Sequence, residues 1–370
     1  MTPGPTPVPP EVLLEMAKPV IHHRTPQYQR ILAEVLDGLK KVFKTKNDVL
    51  TFSSSGTGAM EASVVNLLSP GEKAAVVRGG KFGERFGEIL DAYGIEFVPI
   101  DVPWGEPIDT KKIKETLDDN SGVRAVYTTL CETSTGTAAD IKAIGNVVRE
   151  YDAALVVDAV SGLGADDLRV DEWSVDVAIS GSQKGLMIPP GLGFVSFSEK
   201  AMKMANDARL PKFYFDVKKY KKAVQKNDTP FTPAITLMIG LKKALEIINS
   251  EGVENVLSRH ERLAVATRSA MKAVGLKLFS SSPSNAVTAV SVPEGVDGAA
   301  LVKMMRDTIG VTIAGGQDRV KGKIFRVAHL GFMENFDVIT AVSAIEICLK
   351  KMGYKFALGK GVSAAEEAFL

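Results

Sequence analysis

The chain has 370 residues, 45% of them hydrophobic, and this length favours two packed lobes over one hydrophobic core. Basic residues number 45 and acidic residues 44, so the chain carries no overall charge that would attract nucleic acid or an anionic membrane surface. We therefore expect small-molecule partners, without nucleic acid and without a membrane.

The first ten residues contain five prolines, which predicts an N-terminal arm over residues 1–20 whose opening is too proline-rich to begin a helix. The arm lacks the basic and apolar regions of a signal peptide. No apolar run approaches the roughly 20 residues that span a bilayer. We expect a cytoplasmic protein. The two cysteines, Cys131 and Cys348, are far apart in sequence and indicate neither a disulfide framework nor a metal site.

Apolar residues at helical spacing predict a helix over residues 28–43. Short β-rich runs then alternate with helical patterns, and these runs lie at residues 49–52, 74–77, 97–100, 125–128, 154–157, 175–179 and 194–197. This alternation predicts an α/β fold whose large domain has a mainly parallel seven-stranded sheet with helices on both faces.

A polar stretch at residues 218–233 precedes helices predicted at about 234–248 and 253–274. The remainder begins with a strand-like run at residues 286–292 and a helix at 299–309. Two apolar runs follow at 311–314 and 324–328, then a final helix at 336–352 and a tail of small residues after Gly359. We expect a smaller α+β C-terminal domain. The predicted division is an arm over 1–20, a large domain over 21–250 and a small domain over 251–370.

Three loops after predicted strands contain the chemistry, because parallel sheets bind ligands beyond the carboxyl ends of their strands. The first loop is Ser53-Ser-Ser-Gly-Thr-Gly-Ala-Met-Glu61, in which glycines, hydroxyls and helix N–H groups could form a cradle for an anion. A purely structural turn is the alternative. The loop lacks the P-loop lysine and the third glycine of the dinucleotide fingerprint, which disfavours nucleotide binding.

Asp158 ends the second of these strands, where a carboxylate is costly unless it has a partner. It is either a structural, hydrogen-bonded aspartate or the partner of a protonated pyridine nitrogen. The third loop is Ser180-Gly-Ser-Gln-Lys-Gly185. Lys184 follows a buried strand and is flanked by small residues, a setting that favours a neutral amine able to bond an aldehyde.

Motifs in the same order along nearly the whole chain indicate a family. They are Pro3-Gly-Pro5, His23-Arg-Thr25, Ser55-Gly-Thr-Gly58, Glu132-Thr-Ser-Thr-Gly136, Val157-Asp158, Ser180-Gly-Ser-Gln-Lys184, Pro189-Pro-Gly191 and Phe325-Arg-Val327. With these motifs the chain resembles the class V, fold type I pyridoxal-phosphate aminotransferases, and within them the alanine:glyoxylate and serine:pyruvate aminotransferase family.

The resemblance implies pyridoxal 5'-phosphate as cofactor, bound covalently by Lys184 and paired through its ring nitrogen with Asp158. It implies further cofactor contacts from Ser55, Gly56, Thr57, Phe82, Thr133 and Gln183, of which Phe82 would stack on the ring and Thr133 would touch the ring oxygen. Many relatives have tryptophan at the position of Phe82 and serine at that of Thr133. An ordinary core role is the alternative for Phe82.

The resemblance also implies a homodimer with shared active sites, in which Thr232 reaches the phosphate of the neighbouring subunit; Thr229 is the alternative. Arg326 would bind the α-carboxylate of the substrate, with a structural ion pair as the alternative.

The implied reaction is a ping-pong transfer of an amino group from alanine or serine to glyoxylate or pyruvate. A 2-aminoethylphosphonate transaminase is the rival substrate assignment, and a cysteine desulfurase-like lyase is a second rival. The lyase is disfavoured because those relatives generally have histidine where this chain has Gln183 and Phe82. A noncatalytic protein that has kept the fold is a third possibility, and Lys184 and Asp158 argue against it.

Overall fold

The structure is a computed structural model that describes residues 1–370. Its strands are β1 (Val49–Phe52), β2 (Lys73–Arg78), β3 (Glu96–Asp101), β4 (Val123–Thr129), β5 (Cys131–Glu132), β6 (Thr137–Ala138), β7 (Ala154–Asp158), β8 (Val177–Gly181), β9 (Gly193–Phe197), β10 (Val287–Ser291), β11 (Ala314–Gly315) and β12 (Ile324–Ala328).

Its α-helices are α1 (Pro10–Met16), α2 (Pro26–Phe43), α3 (Gly56–Leu67), α4 (Lys81–Ala92), α5 (Thr110–Asp119), α6 (Ile141–Val148), α7 (Glu199–Asp207), α8 (Val217–Val224), α9 (Ile235–Glu251), α10 (Val253–Ala273), α11 (Gly298–Met304), α12 (Asn335–Lys351) and α13 (Lys360–Glu367). A π-helical turn at Met305–Ile309 continues α11, and a short 3-10 turn lies at Asp318–Val320.

Seven strands form the large sheet in the order β1-β9-β8-β7-β4-β2-β3. The four pairings from β8 to β3 are parallel, whereas β9 is antiparallel to both β8 and β1. Because β9 reverses direction between them, β1 and β8 run the same way. The carboxyl ends of β1, β2, β4, β7 and β8 therefore lie at one edge of the sheet, which is where ligands bind in such folds.

The sheet is buried on both faces, as expected for parallel strands covered by helices. Alternate residues of one strand enter different cores. On β7, Leu155 and Val157 belong to the core that includes α2 and α9, while Val156 belongs to the core that includes α3 and α4. The seven predicted strands, the mainly parallel sheet and the predicted helix over 28–43 are confirmed.

The smaller α+β part contains the antiparallel sheet β10-β12-β11 and a separate apolar core formed largely by α10, α12 and α13. By contrast, α9 packs on α1 and α2 of the large part. The predicted division at residues 250 and 251 lies at the end of α9, directly before Gly252, and we retain it as a proposal.

Four helices, α1, α7, α8 and α13, were not predicted from the sequence. We predicted that no helix begins within the proline-rich residues 1–10. This prediction is wrong, because α1 begins at Pro10, the last of these residues. Proline is favoured there, since its missing N–H would have no partner at a helix start. The helix α7 begins two residues after β9 ends, α8 begins one residue before the polar stretch and continues into it, and α13 lies in the tail of small residues. Of the apolar run 311–314, only Ala314 pairs with β12.

No helix has both the length and the apolar character needed to cross a membrane.

Candidate active site

The three loops singled out from the sequence meet at the carboxyl edge of the large sheet. A Cβ atom added to Gly56 would lie 2.7 Å from Val160, which is two residues after Asp158. A Cβ atom added to Gly181 would lie 3.5 Å from the Gly56 nitrogen and 3.4 Å from the Gln183 side-chain oxygen. The glycines therefore allow the three loops to approach closely, and they bring the Gln183 side chain beside the start of α3.

The start of α3 has the features of an anion cradle. Ser55 caps the helix, and its Oγ accepts a hydrogen bond from the Gly58 N–H at 3.4 Å. The N–H groups of Gly56 and Thr57 donate no hydrogen bond within the chain. Free N–H groups and the positive end of the helix dipole both favour a negative group at this point.

Lys184 lies in the loop after β8 with its side chain half-buried. The pKa of its ammonium group is lowered to about 8, chiefly by burial; the positive charges of Arg326 and Arg85 act in the same direction, while Cys131 and Asp158 act in the opposite direction. No carboxylate forms a salt bridge with Lys184. Its Nζ instead donates a hydrogen bond to the Pro3 carbonyl.

That contact belongs to an N-terminal strap, residues 1–6, which crosses the active site. The Thr6 N–H donates to the Gln183 carbonyl at 3.1 Å, and the Thr6 hydroxyl donates to the Lys184 carbonyl at 3.0 Å. At the other end, the Met1 carbonyl accepts a hydrogen bond from the Ala328 N–H of β12 at 3.1 Å. The strap therefore connects the lysine loop with the strand that carries Arg326.

Asp158 is 5% exposed at the end of β7. Its Oδ1 accepts a hydrogen bond from the Val160 N–H at 2.8 Å, whereas Oδ2 has no partner in the chain. Burial raises the pKa of this carboxyl to about 6, and the Val160 hydrogen bond opposes that rise. A buried carboxylate with one free oxygen is ready to accept a hydrogen bond from a positively charged N–H group.

Phe82 lies in the first turn of α4, and Glu132 fixes that turn. The buried Glu132 carboxylate accepts hydrogen bonds from the N–H groups of Phe82 and Gly83 at 3.1 and 2.9 Å, and from the Ser134 hydroxyl at 2.5 Å. A carboxylate at a helix N-terminus satisfies N–H groups that have no partner in the helix and complements the helix dipole. The ring is half-buried, so the alternative of an ordinary core phenylalanine is not favoured.

Thr133 and Arg326 are in direct contact across the cleft between the two parts of the chain. The Thr133 hydroxyl donates to Ser161 Oγ at 2.6 Å, and the Thr133 carbonyl accepts from Arg326 Nη1 at 2.8 Å. Arg326 Nε and Nη2 donate to the Gly315 carbonyl at 3.0 and 2.8 Å. Arg326 is 4% exposed and forms no salt bridge, which argues against the ion-pair alternative.

Thr232 is exposed, whereas the Thr229 hydroxyl is buried without a hydrogen-bond partner. Ala234, two residues after Thr232, donates its N–H to Ser53 Oγ at 3.0 Å, so this segment runs beside the cradle loop on the surface. The structure thus brings Ser55, Gly56, Thr57, Phe82, Thr133, Asp158, Gln183, Lys184 and Arg326 to one edge of the sheet and leaves Thr232 on the surface nearby.

A lysine with a lowered pKa, a buried carboxylate with a free oxygen and an anion cradle lie together at the edge of an α/β sheet, an arrangement suited to a lysine that bonds a carbonyl compound. The family model described as aminotransferase class-V matches residues 2–332, and the chain belongs to this family. It is a transaminase with the fold of that family.

Individual relatives extend over nearly the whole chain. A protein of Synechococcus sp. named soluble hydrogenase, small subunit, is 47% identical over 99% of this chain and 96% of its own length. An L-aspartate–glyoxylate aminotransferase of Paracoccus denitrificans is 39% identical over 99% of this chain and 95% of its own length. A serine–glyoxylate aminotransferase of Hyphomicrobium methylovorum is 36% identical over 99% of this chain and 93% of its own length.

Among solved structures, the ureidoglycine-glyoxylate aminotransferase of Bacillus subtilis superposes with a TM-score of 0.95. It is 29% identical, and the match covers 100% of this chain and 97% of the other. The fold and the large parallel sheet predicted from the sequence therefore agree with those of an aminotransferase of this group.

Several residues of the site could not be identified from the sequence. In the sequence, Glu132 and Pro3 stand out only as parts of motifs, and no pattern assigns a role to Ser161 or Arg85. Their roles follow from hydrogen bonds in the structure. Arg85 follows Phe82 by three residues, a spacing that puts both on one side of a helix, and this was the one available signal.

Proposed function

We propose that the chain binds pyridoxal 5'-phosphate and that Lys184 is the residue that bonds it. The observation that carries this proposal is the pairing of a half-buried lysine of lowered pKa with a buried carboxylate whose Oδ2 has no partner. Asp158 would hold a proton on the ring nitrogen. The free N–H groups of Gly56 and Thr57, the Ser55 and Thr57 hydroxyls and the nearby Gln183 side chain would hold the phosphate.

The remaining contacts fit the same group. Phe82 would stack on the ring from a helix turn that Glu132 holds in place, and Thr133 would contact the ring oxygen through a hydroxyl already ordered by Ser161. The bound cofactor supplies an aldehyde that captures amines and a ring that accepts electrons from a breaking Cα–H bond.

The chain's own groups would then move the proton and orient the substrate. Lys184 Nζ would take up the proton from the substrate Cα and later release it, a role that suits an amine whose pKa is near 8. Arg326 retains two free N–H groups, one on each terminal nitrogen, since its other three donate to backbone carbonyls. These two can bind the substrate α-carboxylate in a fixed orientation.

We propose alanine or serine as amino donor and glyoxylate or pyruvate as acceptor, in a ping-pong reaction. Two relatives are named as glyoxylate aminotransferases, one for serine and one for L-aspartate, which supports glyoxylate as an acceptor and adds aspartate to the donors worth testing. The 2-aminoethylphosphonate transaminase remains the rival assignment, and the desulfurase-like lyase a weaker one.

We also propose a homodimer in which Thr232 contacts the partner's phosphate. Thr232 is exposed, and its neighbour Phe231 packs against Phe213, which is 72% exposed. An exposed threonine in a segment that runs beside the cradle loop is accessible to a second copy of the chain. Sedimentation of the purified protein would test this, and a monomer would contradict it.

The relative that is 47% identical is named a hydrogenase subunit, so hydrogenase chemistry is a rival function. Iron–sulfur clusters are held by cysteine thiolates, usually four. This chain has two cysteines, both buried, and no group of three His, Cys, Asp or Glu residues that could hold a metal ion. The donor set therefore favours the transaminase.

The function is tested by a substrate panel on the purified protein loaded with pyridoxal phosphate. Alanine, serine, aspartate and aminoethylphosphonate are each combined with glyoxylate, pyruvate and 2-oxoglutarate, and the keto acid formed is measured. We expect turnover with alanine or serine and glyoxylate or pyruvate, and none in Lys184→Ala. If aminoethylphosphonate were the only competent donor, the substrate assignment would be wrong while the transaminase would stand.

A further inference from the structure

The proposed phosphate cradle contains no positive charge. Its groups are hydroxyls, backbone N–H groups and a carboxamide from Ser55, Gly56, Thr57 and Gln183, and the residue expected from the partner is a threonine. A phosphate monoester carries roughly −1.5 to −2 charges at neutral pH. Helix dipoles and neutral donors offset part of this charge, but phosphate sites generally include a cation.

Arg85 on α4 is the guanidinium that reaches this cradle. Its Nη1 donates a hydrogen bond to the Thr57 hydroxyl at 3.3 Å, and its guanidinium carbon lies 4.8 Å from the centre of the Phe82 ring. The side chain is half-buried and forms no salt bridge with any carboxylate of the chain. Of its five N–H groups, one has an acceptor.

A half-buried guanidinium without a counter-charge is unusual, because removing a cation from water is costly unless an anion compensates it. Arg319 shows the ordinary arrangement: its guanidinium carbon lies 5.4 Å from the centre of the Trp104 ring, and its Nη2 is paired with Glu84 of α4 at 3.0 Å. Arg85 has the aromatic contact without the carboxylate.

The positive charge of Arg85 also affects the pKa values of two groups in the site. It lowers the pKa of Asp158, where burial is the largest effect and acts in the opposite direction, and it adds to the effect of burial in lowering the pKa of Lys184. Its guanidinium therefore lies close enough to act on a ligand held between these two groups.

We propose that Arg85 binds the cofactor phosphate and supplies the positive charge that the cradle of Ser55, Gly56, Thr57 and Gln183 lacks. This inference rests on the proposed function, since it assigns the ligand of the same site. The contact with Thr57 places Arg85 at the phosphate end, and its packing on Phe82 limits the positions of the guanidinium.

The test compares two ligands that differ in the phosphate alone, pyridoxal 5'-phosphate and pyridoxal. Cofactor-free wild type, Arg85→Gln, Arg85→Lys and the matched control Arg319→Gln are titrated with each ligand, and bound ligand is measured from its visible absorption. Thermal melting without ligand verifies that each variant is folded.

We expect Arg85→Gln to weaken pyridoxal 5'-phosphate binding roughly 10- to 100-fold, the loss of one or two charge-assisted hydrogen bonds, and to leave pyridoxal binding within about twofold. Arg85→Lys should recover part of the loss because it keeps the charge without the planar fork. Arg319→Gln should change neither affinity.

Equal weakening of both ligands would overturn the inference, because it would show that Arg85 acts on the ring or on Lys184. An unchanged affinity for both ligands in Arg85→Gln would also overturn it, while the proposed function would stand. If turnover of aspartate but not of alanine were lost in Arg85→Gln with phosphate affinity intact, Arg85 would bind a second substrate carboxylate instead. Failure of the wild type to bind pyridoxal 5'-phosphate would remove both proposals together.

Discussion

Raising the pH of the cofactor-free protein should convert Lys184 from ammonium to free amine with a midpoint near 8. The ordinary lysine pKa is about 10.5, and burial is the main cause of the difference. No carboxylate forms a salt bridge with the ammonium group, and its one hydrogen bond is to the Pro3 carbonyl. The structure therefore stabilises the neutral form that attacks aldehydes.

The size of the effect follows from the two pKa values. At pH 7.5 a group of pKa 8 is about one quarter neutral, whereas a group of pKa 10.5 is about 0.1% neutral, a ratio of about 240. The same shift makes the free energy of unfolding rise between pH 8 and 10.5, because the unfolded chain then binds more protons than the folded chain.

The assay is brief acetylation of the cofactor-free protein from about pH 6 to about pH 11.5, with the label on the Lys184 peptide measured by mass spectrometry. An N-acetyl-lysine amide in the same tube is the internal control. Arg326→Met should move the midpoint upward, because it removes a cation, and Asp158→Asn should move it downward. A wild-type midpoint near 10.5, or variants that shift in the opposite directions, would refute the electrostatic reasoning.

Three further outcomes are expected. Asp158→Asn should lower kcat roughly 100- to 1,000-fold in the substrate panel while still binding the cofactor, and an unchanged kcat would contradict the ring-nitrogen role. Arg326→Lys should lower kcat/KM roughly 10- to 100-fold for donor and acceptor alike, since both present an α-carboxylate; loss for one substrate only would contradict a shared clamp. Gly4 has φ +119° and an added Cβ would lie 2.5 Å from Lys184 Nζ, so Gly4→Ala should slow cofactor capture roughly tenfold in stopped-flow absorbance. Gly94→Ala is the control, with φ +66° and nothing within 4 Å, and equal slowing in both variants would point to backbone strain alone.

The elements predicted from the sequence share one property, which is a strong local pattern. Strands such as Ala154–Asp158 are short apolar runs buried on both faces, and α2 has an apolar stripe at helical spacing. Two of the missed helices, α8 and α13, are eight residues long, so each contributes only two buried residues to an apolar pattern. In α8 the buried side chains are Val217 and Tyr220, and Asp216 caps the helix.

The missed helix α13 is stabilised by partners distant in sequence. Its buried residues are Gly361 and Ala365, small side chains that let it lie close to α10 and α12. The Glu346 carboxylate of α12 accepts hydrogen bonds from the Gly359 and Gly361 N–H groups at 2.6 and 2.5 Å. Contacts of this kind do not appear in the local sequence pattern of α13.

The residues of the site, too, could be predicted only where a local sequence pattern marks them. Lys184 and Asp158 stand out because each follows a buried strand, a position that the order of strands predicts. The roles of Glu132 and Pro3 depend on contacts between residues 49 to 181 positions apart, which no local pattern contains. The same holds for Arg85, whose contact with Thr57 joins two helices. The expected cytoplasmic location stays a prediction.

The central claim is that Lys184 bonds the cofactor. Protein incubated with pyridoxal 5'-phosphate and reduced with borohydride should retain the cofactor covalently, and mass spectrometry of its peptides should place the added mass on Lys184. Lys184→Ala should retain none. Attachment at another lysine, or no covalent cofactor in the wild type, would contradict the account.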